Sequence, residues 1–81
     1  MDVVEFTEYL VKSIVKEPDL IKVSLFEADE DINILEILVP ESEMGRVIGK
    51  SGKMSLSIRT LIQAFAAIHK MPKVKINIDS F

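Results

Sequence analysis

The sequence predicts an α+β fold: a three-stranded sheet with helices packed on one face, its elements in the order α-β-β-α-α-β. Three observations predict it. Pro18, Pro40 and Pro72 divide the 81 residues into short segments. Apolar residues recur at helical spacing in some of these segments and alternate along others. A Gly-x-x-Gly turn, Gly49-Lys50-Ser51-Gly52, joins two of the helical ones.

Asp2 followed by Glu5 forms a variant of the capping box at the start of the first helix. Val3, Val4, Thr7, Leu10, Val11, Ile14 and Val15 then make its apolar face, and Glu8, Lys12 and Lys16 are spaced for i,i+4 pairing on another. Pro18 ends this helix. Ile21, Val23 and Leu25 alternate with Lys22 and Ser24, which predicts a strand with one buried face. The acidic stretch Ala28-Asp29-Glu30-Asp31 reads as a solvated turn, and Ile32–Val39 as a second, more continuously apolar strand. Two strands so closely joined form a hairpin.

Pro40 stops the second strand, and Glu41 and Glu43 suit the first turn of a short helix reaching Ile48. A longer helix is predicted from Lys53 to Lys70, with Met54, Ile58, Leu61, Ile62, Phe65 and Ile68 as its inward stripe and Ser51 as its N-cap. His69, near the C-terminal end, reads as a residue favoured there by the helix dipole. Pro72 closes the helix. Val74, Ile76 and Ile78 alternate with Lys73, Lys75 and Asn77 as a last strand.

The turn carries the chemistry. Glycine at both ends allows a sharp reversal and lets a ligand lie against bare peptide. The following helix begins at once, so its unpaired N–H groups and positive dipole end point at whatever occupies the turn. A phosphate is the natural occupant, with Lys50 and Lys53 beside it. A nucleotide-binding P-loop is excluded: it needs four residues between its glycines, and Gly45 and Gly49 are separated by three. Nor does an 81-residue chain have room for the doubly wound sheet such a loop serves.

The string Val47-Ile48-Gly49-Lys50-Ser51-Gly52-Lys53, with Ile58 on the next helix, resembles the KH family of single-stranded RNA-binding domains. Gly45-Arg46-Val47-Ile48-Gly49-Lys50 and Arg59-Thr60-Leu61 are similar to the small bacterial KhpA-type (YlqC-type) proteins, single KH domains of about this length. The resemblance covers essentially the whole chain, residues 1–81. It implies the type II KH arrangement with a mixed sheet, and a non-enzymatic RNA-binding role. Ser55 departs from the pattern, standing where many KH domains carry an aliphatic residue.

On this resemblance the expected RNA contacts are Arg46, Val47, Ile48, Gly49, Lys50, Ser51, Gly52, Lys53 and Arg59. The RNA backbone would lie across Gly49–Gly52, as KH domains clamp about four nucleotides. Val47, Ile48 and one face of Glu36-Ile37-Leu38-Val39 are the expected groove floor, and Arg46 or Arg59 the reach to a phosphate or base edge. KhpA-type proteins pair with themselves and with a larger KH-containing partner, KhpB, so a homodimer or a heterodimer of that kind is expected, in the manner of an RNA chaperone or regulator.

Composition fits this reading. The absence of cysteine and the single histidine exclude a disulfide framework and a cysteine- or histidine-cluster metal site, and no cofactor or small-molecule substrate is expected. Apolar runs are too short to span a membrane, and the acidic Asp2 and Glu5 do not make a signal peptide, so a cytoplasmic protein is expected. The net charge of −3 conceals an asymmetry. Residues 1–44 carry three lysines against twelve acids, a net of −9, whereas residues 45–81 carry seven bases against Asp79, a net of +6. Such a division suits one surface for polyanions and another that repels them.

None of the five aromatics is interleaved with the basic patch in sequence, which predicts weak, micromolar-range binding with slight sequence preference. Phe6, Tyr9 and Phe26 read as core or dimer contacts. The alternative from another class is a protein–protein interaction module that keeps the turn as a helix–turn–helix corner and binds little RNA.

Overall fold

The computed structural model describes residues 1–29 and 31–81. Its elements are α1 (Val3–Lys12), β1 (Lys22–Asp29), β2 (Ile32–Val39), α2 (Met44–Ile48), α3 (Lys53–Ile68) and β3 (Lys73–Ser80), with 3₁₀ turns at Pro18–Leu20, Glu41–Glu43 and Lys50–Gly52. The predicted order α-β-β-α-α-β is the observed one.

The sheet is mixed, in the order β1-β2-β3, with β1 antiparallel and β3 parallel to β2. A parallel pair needs a crossover, and α2, the glycine turn and α3 supply it. β2 is the central strand and alternates strictly: Asn33, Leu35, Ile37 and Val39 are buried, and the residues between them are half-buried. Leu35, Ile37 and Val39 join Val74 and Ile76 of β3 with Val3 and Val11 of α1, Val47 of α2, and Ile58, Ile62 and Ala66 of α3 in one core. Phe6 of α1 stacks on Phe65 of α3 with centroids 4.6 Å apart, and His69 tilts against the far side of Phe65 at 4.1 Å. The histidine thus extends an aromatic stack between α1 and α3.

Several local expectations are corrected. α1 carries the full capping box between Asp2 and Glu5 but stops at Lys12. There the Ser13 hydroxyl donates to the Tyr9 carbonyl, the side-chain competition that favours helix ends. Ile14 and Val15 lie beyond the helix yet still pack on the core. Pro18 opens a 3₁₀ turn, occupying a first-turn position where its missing N–H costs nothing. In β1 the buried face is weak: Val23 is half-buried and Leu25 exposed, whereas Val74 and Ile76 of β3, the other outer strand, are buried. β1 reaches Asp29, so the predicted acidic turn is partly strand; its Glu30 lies outside the described residues. Along α3 the core takes Ile58, Ile62 and Ala66, while Met54, Leu61 and Ile68, expected inward, are exposed.

Candidate nucleic-acid interface

α2 ends at Ile48, and Gly49 donates its N–H back to the Gly45 carbonyl at 2.9 Å. Gly49 then takes φ 76 and ψ 177, a conformation essentially confined to glycine. The chain turns through Lys50 and Ser51 to Gly52, where Ser51 (φ 56) and Gly52 (φ 75) are both left-handed. Lys50, Ser51 and Lys53 are exposed around this turn. Gly52, not Ser51, is the N-cap of α3, and no side chain accepts from the first N–H groups of the helix. Ser51, expected as the cap, lies one residue before that position, because the helix begins at Lys53. Ser55 explains itself here: its hydroxyl donates to the Gly52 carbonyl at 3.0 Å, tying the first turn of α3 to the glycine.

Arg46 is exposed on α2, one turn before Gly49, with its Nε 3.4 Å from Oε1 of Glu43. Glu43 is buried, and its Oε2 accepts from the Glu17 N–H at 2.8 Å. Expected as a first-turn acid of the short helix, it also ties the segment after α1 to the start of α2. Lys16, Glu17, Ser42, Glu43 and Arg46 surround a polar cleft of about 240 Å³.

The remaining expected contacts divide. Ile48 is 40% exposed beside the turn. Val47 is fully buried and packs under the turn, so its side chain supports the site from the core. Ile37 and Val39 are likewise core residues, so the face of β2 that carries them is closed to a ligand, while Glu36 and Leu38 are half-buried on the other face. Arg59 lies about 9 Å further along α3 than Lys53. Its Nη1 donates to the Ile76 carbonyl at 2.6 Å, and four residues on, Gln63 Nε2 donates to the Val74 carbonyl at 2.7 Å. These carbonyls point away from β2, since Lys73 and Phe81 turn their N–H groups toward it, onto Asp31 and Val39. Arg59 and Gln63 therefore cap the free edge of β3.

Beside that edge lies a groove of about 510 Å³ lined by Ile32, Arg59, Gln63, Lys73, Val74, Lys75 and Ile76. Apolar at its floor and cationic at its rim, it suits a flat, polar-edged ring attached to an anionic backbone. Sequence reasoning assigned Arg59 but missed Gln63, Lys73 and Lys75 here. The signal was present in the i,i+4 spacing of Arg59 and Gln63 and in the alternation of Lys73 and Lys75 along the last strand. Among the described residues no cluster of His, Asp and Glu could hold a metal ion, and no helix is long and apolar enough to cross a membrane.

Known proteins share both fold and sequence with this chain. The RNA-binding protein KhpA of Clostridium perfringens is 40% identical over 74 residues, covering 91% of this chain and 96% of that protein. KhpA of Borreliella burgdorferi is 39% identical over 64 residues, covering 79% and 77%. These relatives are named as RNA-binding proteins and not as enzymes. Among solved structures, Era in complex with MgGDPNP and nucleotides 1506-1542 of 16S ribosomal RNA superposes with a TM-score of 0.68 at 21% identity. That match covers 98% of this chain but only 30% of the Era chain, and it speaks for the fold alone. The model of the KhpA/KhpB KH domain matches residues 4–78, and the chain belongs to that family.

Proposed function

We propose that this chain, acting as one KH unit in the cytoplasm, binds single-stranded RNA without catalysing a reaction. The observation that carries the reading is the turn itself. Gly49, Ser51 and Gly52 at positive φ bare the backbone immediately before a helix N-terminus that no side chain caps, with Lys50 and Lys53 alongside. A phosphodiester backbone fits that concavity by charge and by shape. Arg46, Ile48, Gly49, Lys50, Ser51, Gly52 and Lys53 form the clamp, Val47 backs it, and Arg59 with Lys73 and Lys75 receives bases and phosphates at the β3 edge.

The test is a titration of a fluorescent mixed-sequence RNA of about a dozen nucleotides at two salt concentrations, with the Lys50→Asp, Ser51→Asp variant alongside. Affinity that falls with salt and vanishes in the folded variant supports the clamp; undiminished affinity in the variant overturns it.

The protein acts as a dimer in this reading, as a homodimer or with a KhpB-type partner, in the service of RNA chaperoning or regulation. The exposed side of α3 supports self-pairing. Leu56, Leu61 and Ile68 stand out from it with Ser57, Thr60 and Ala64 between them. The Ser57 and Thr60 hydroxyls are already bonded to the Lys53 and Leu56 carbonyls, so this uncharged face behaves as apolar surface. Two linked clamps would raise weak single-site affinity through effective concentration.

A further inference from the structure

The helices cover one face of the sheet, and among the described residues no element covers the other. On that open face the register sets Phe26 of β1, Ile34 of β2 and Lys75 of β3 abreast in one row. Phe26 is 52% exposed in the middle of its strand, and Lys75 is exposed. In the next row toward the hairpin, Lys73 follows Ile32. The fold therefore interleaves an aromatic with the basic patch that no run of sequence does.

We propose that this open face is a second contact for single-stranded RNA, on which a base stacks against Phe26 while neighbouring phosphates meet Lys75 and Lys73. The proposal rests on the RNA reading above. An exposed ring on a strand offers its π-face to any base, and sheets that present aromatics in this way are a recurrent means of holding unpaired nucleotides. Phe26 and Lys75 are two strand spacings apart, about 10 Å, which adjacent nucleotides bridge.

Continuity with the groove favours nucleic acid over a protein partner. Lys73 and Lys75 line the groove at the β3 edge and also stand on the open face, so a strand leaving the groove crosses β3 without leaving positive charge. Carboxylates set its direction. Toward the hairpin, Asp29 pairs with Ile32 and its Oδ1 is held by the Asp31 N–H at 2.9 Å. On the other side, Glu36 and Asp79 occupy the following rows. The row from Lys75 to Phe26 is the path between them.

The test compares RNAs of four and twelve nucleotides on the full chain and on Phe26→Ala, Phe26→Tyr and Lys75→Glu. Phe26→Ala is expected to weaken the longer RNA about tenfold while leaving the four-nucleotide RNA, held by the clamp, unchanged. Phe26→Tyr keeps the ring and is expected to restore the longer RNA. Lys75→Glu is expected to lower its affinity and flatten its salt dependence. Wild-type affinity for twelve nucleotides in folded Phe26→Ala overturns the platform, whereas loss of both lengths in the Lys50, Ser51 variant speaks only to the clamp. A change in sedimentation of Phe26→Ala with no change in RNA affinity assigns the face to protein pairing and also overturns it. Should Phe26→Ala not fold, Phe26→Leu removes the ring while keeping an apolar side chain, and loss of the longer RNA alone in that variant supports the platform whereas its retention refutes it.

Discussion

A Cβ on Gly49 would lie 2.5 Å from the Cβ of Met54 and 2.8 Å from its backbone nitrogen. The first turn of α3 thus closes over Gly49, and the two ends of the Gly-x-x-Gly turn are not equivalent. At Gly52 a Cβ would meet nothing within 4 Å, and only the left-handed backbone resists substitution. Gly49→Ala is expected to cost about 3 kcal/mol, combining a glycine-only conformation with a backbone clash. Gly52→Ala is expected to cost about 1 kcal/mol. Urea unfolding midpoints of the two variants measure the difference, and equal losses would refute the asymmetry.

Glu43→Ala removes the acceptor of the Glu17 N–H, a partly buried hydrogen bond, together with the partner of Arg46. A loss of about 2 kcal/mol is expected, most of it from the orphaned donor. Glu43→Gln keeps an oxygen for Glu17 and should lose less than half as much. If the two variants unfold alike, the hydrogen bond is not what Glu43 contributes.

Thr7 is fully buried on α1 and, among the described residues, its hydroxyl has no hydrogen-bond partner. Valine has the same shape without that unmet oxygen, so Thr7→Val should stabilise the fold by about 1 kcal/mol. For a domain of this size that is a rise in Tm of about 4–8 °C by calorimetry. A lower Tm would mean that the hydroxyl is satisfied in solution.

Leu61→Asp places a charge in the middle of the exposed α3 face. The side chain is about half exposed, so the monomer should stay folded, while sedimentation equilibrium should show self-association abolished. An unchanged mass at concentrations where the parent chain pairs would move the interface elsewhere.

What the sequence made legible follows the range of the forces involved. β2 has the boundaries that its apolar run predicts, Ile32 to Val39, and the turn lies between two helices as its glycines require. Local chemistry determines both. α3 was harder, because a helix bearing apolar residues nearly all round does not announce which third of them meets the sheet; Ile58, Ile62 and Ala66 do, and Leu61 and Ile68 do not. Glu43 was illegible for another reason: its partner comes from Glu17, 26 residues away. The pairing of Phe26 with Lys75 across Ile34 was equally hidden, since only strand register creates it.

The parallel pairing of β2 with β3 brings Val39 and Ser80 side by side, with the whole of α2, the turn and α3 looped between them. Closing so long a loop is slow relative to forming either helix. During synthesis the antiparallel hairpin of β1 and β2 can form early, yet the edge of β2 stays unpaired until β3 has emerged and docked. Arg59 and Gln63 find their carbonyls only then, so the groove cannot form before β3 docks. A chain stalled before β3 docks presents the helix–turn–helix with no groove beside it.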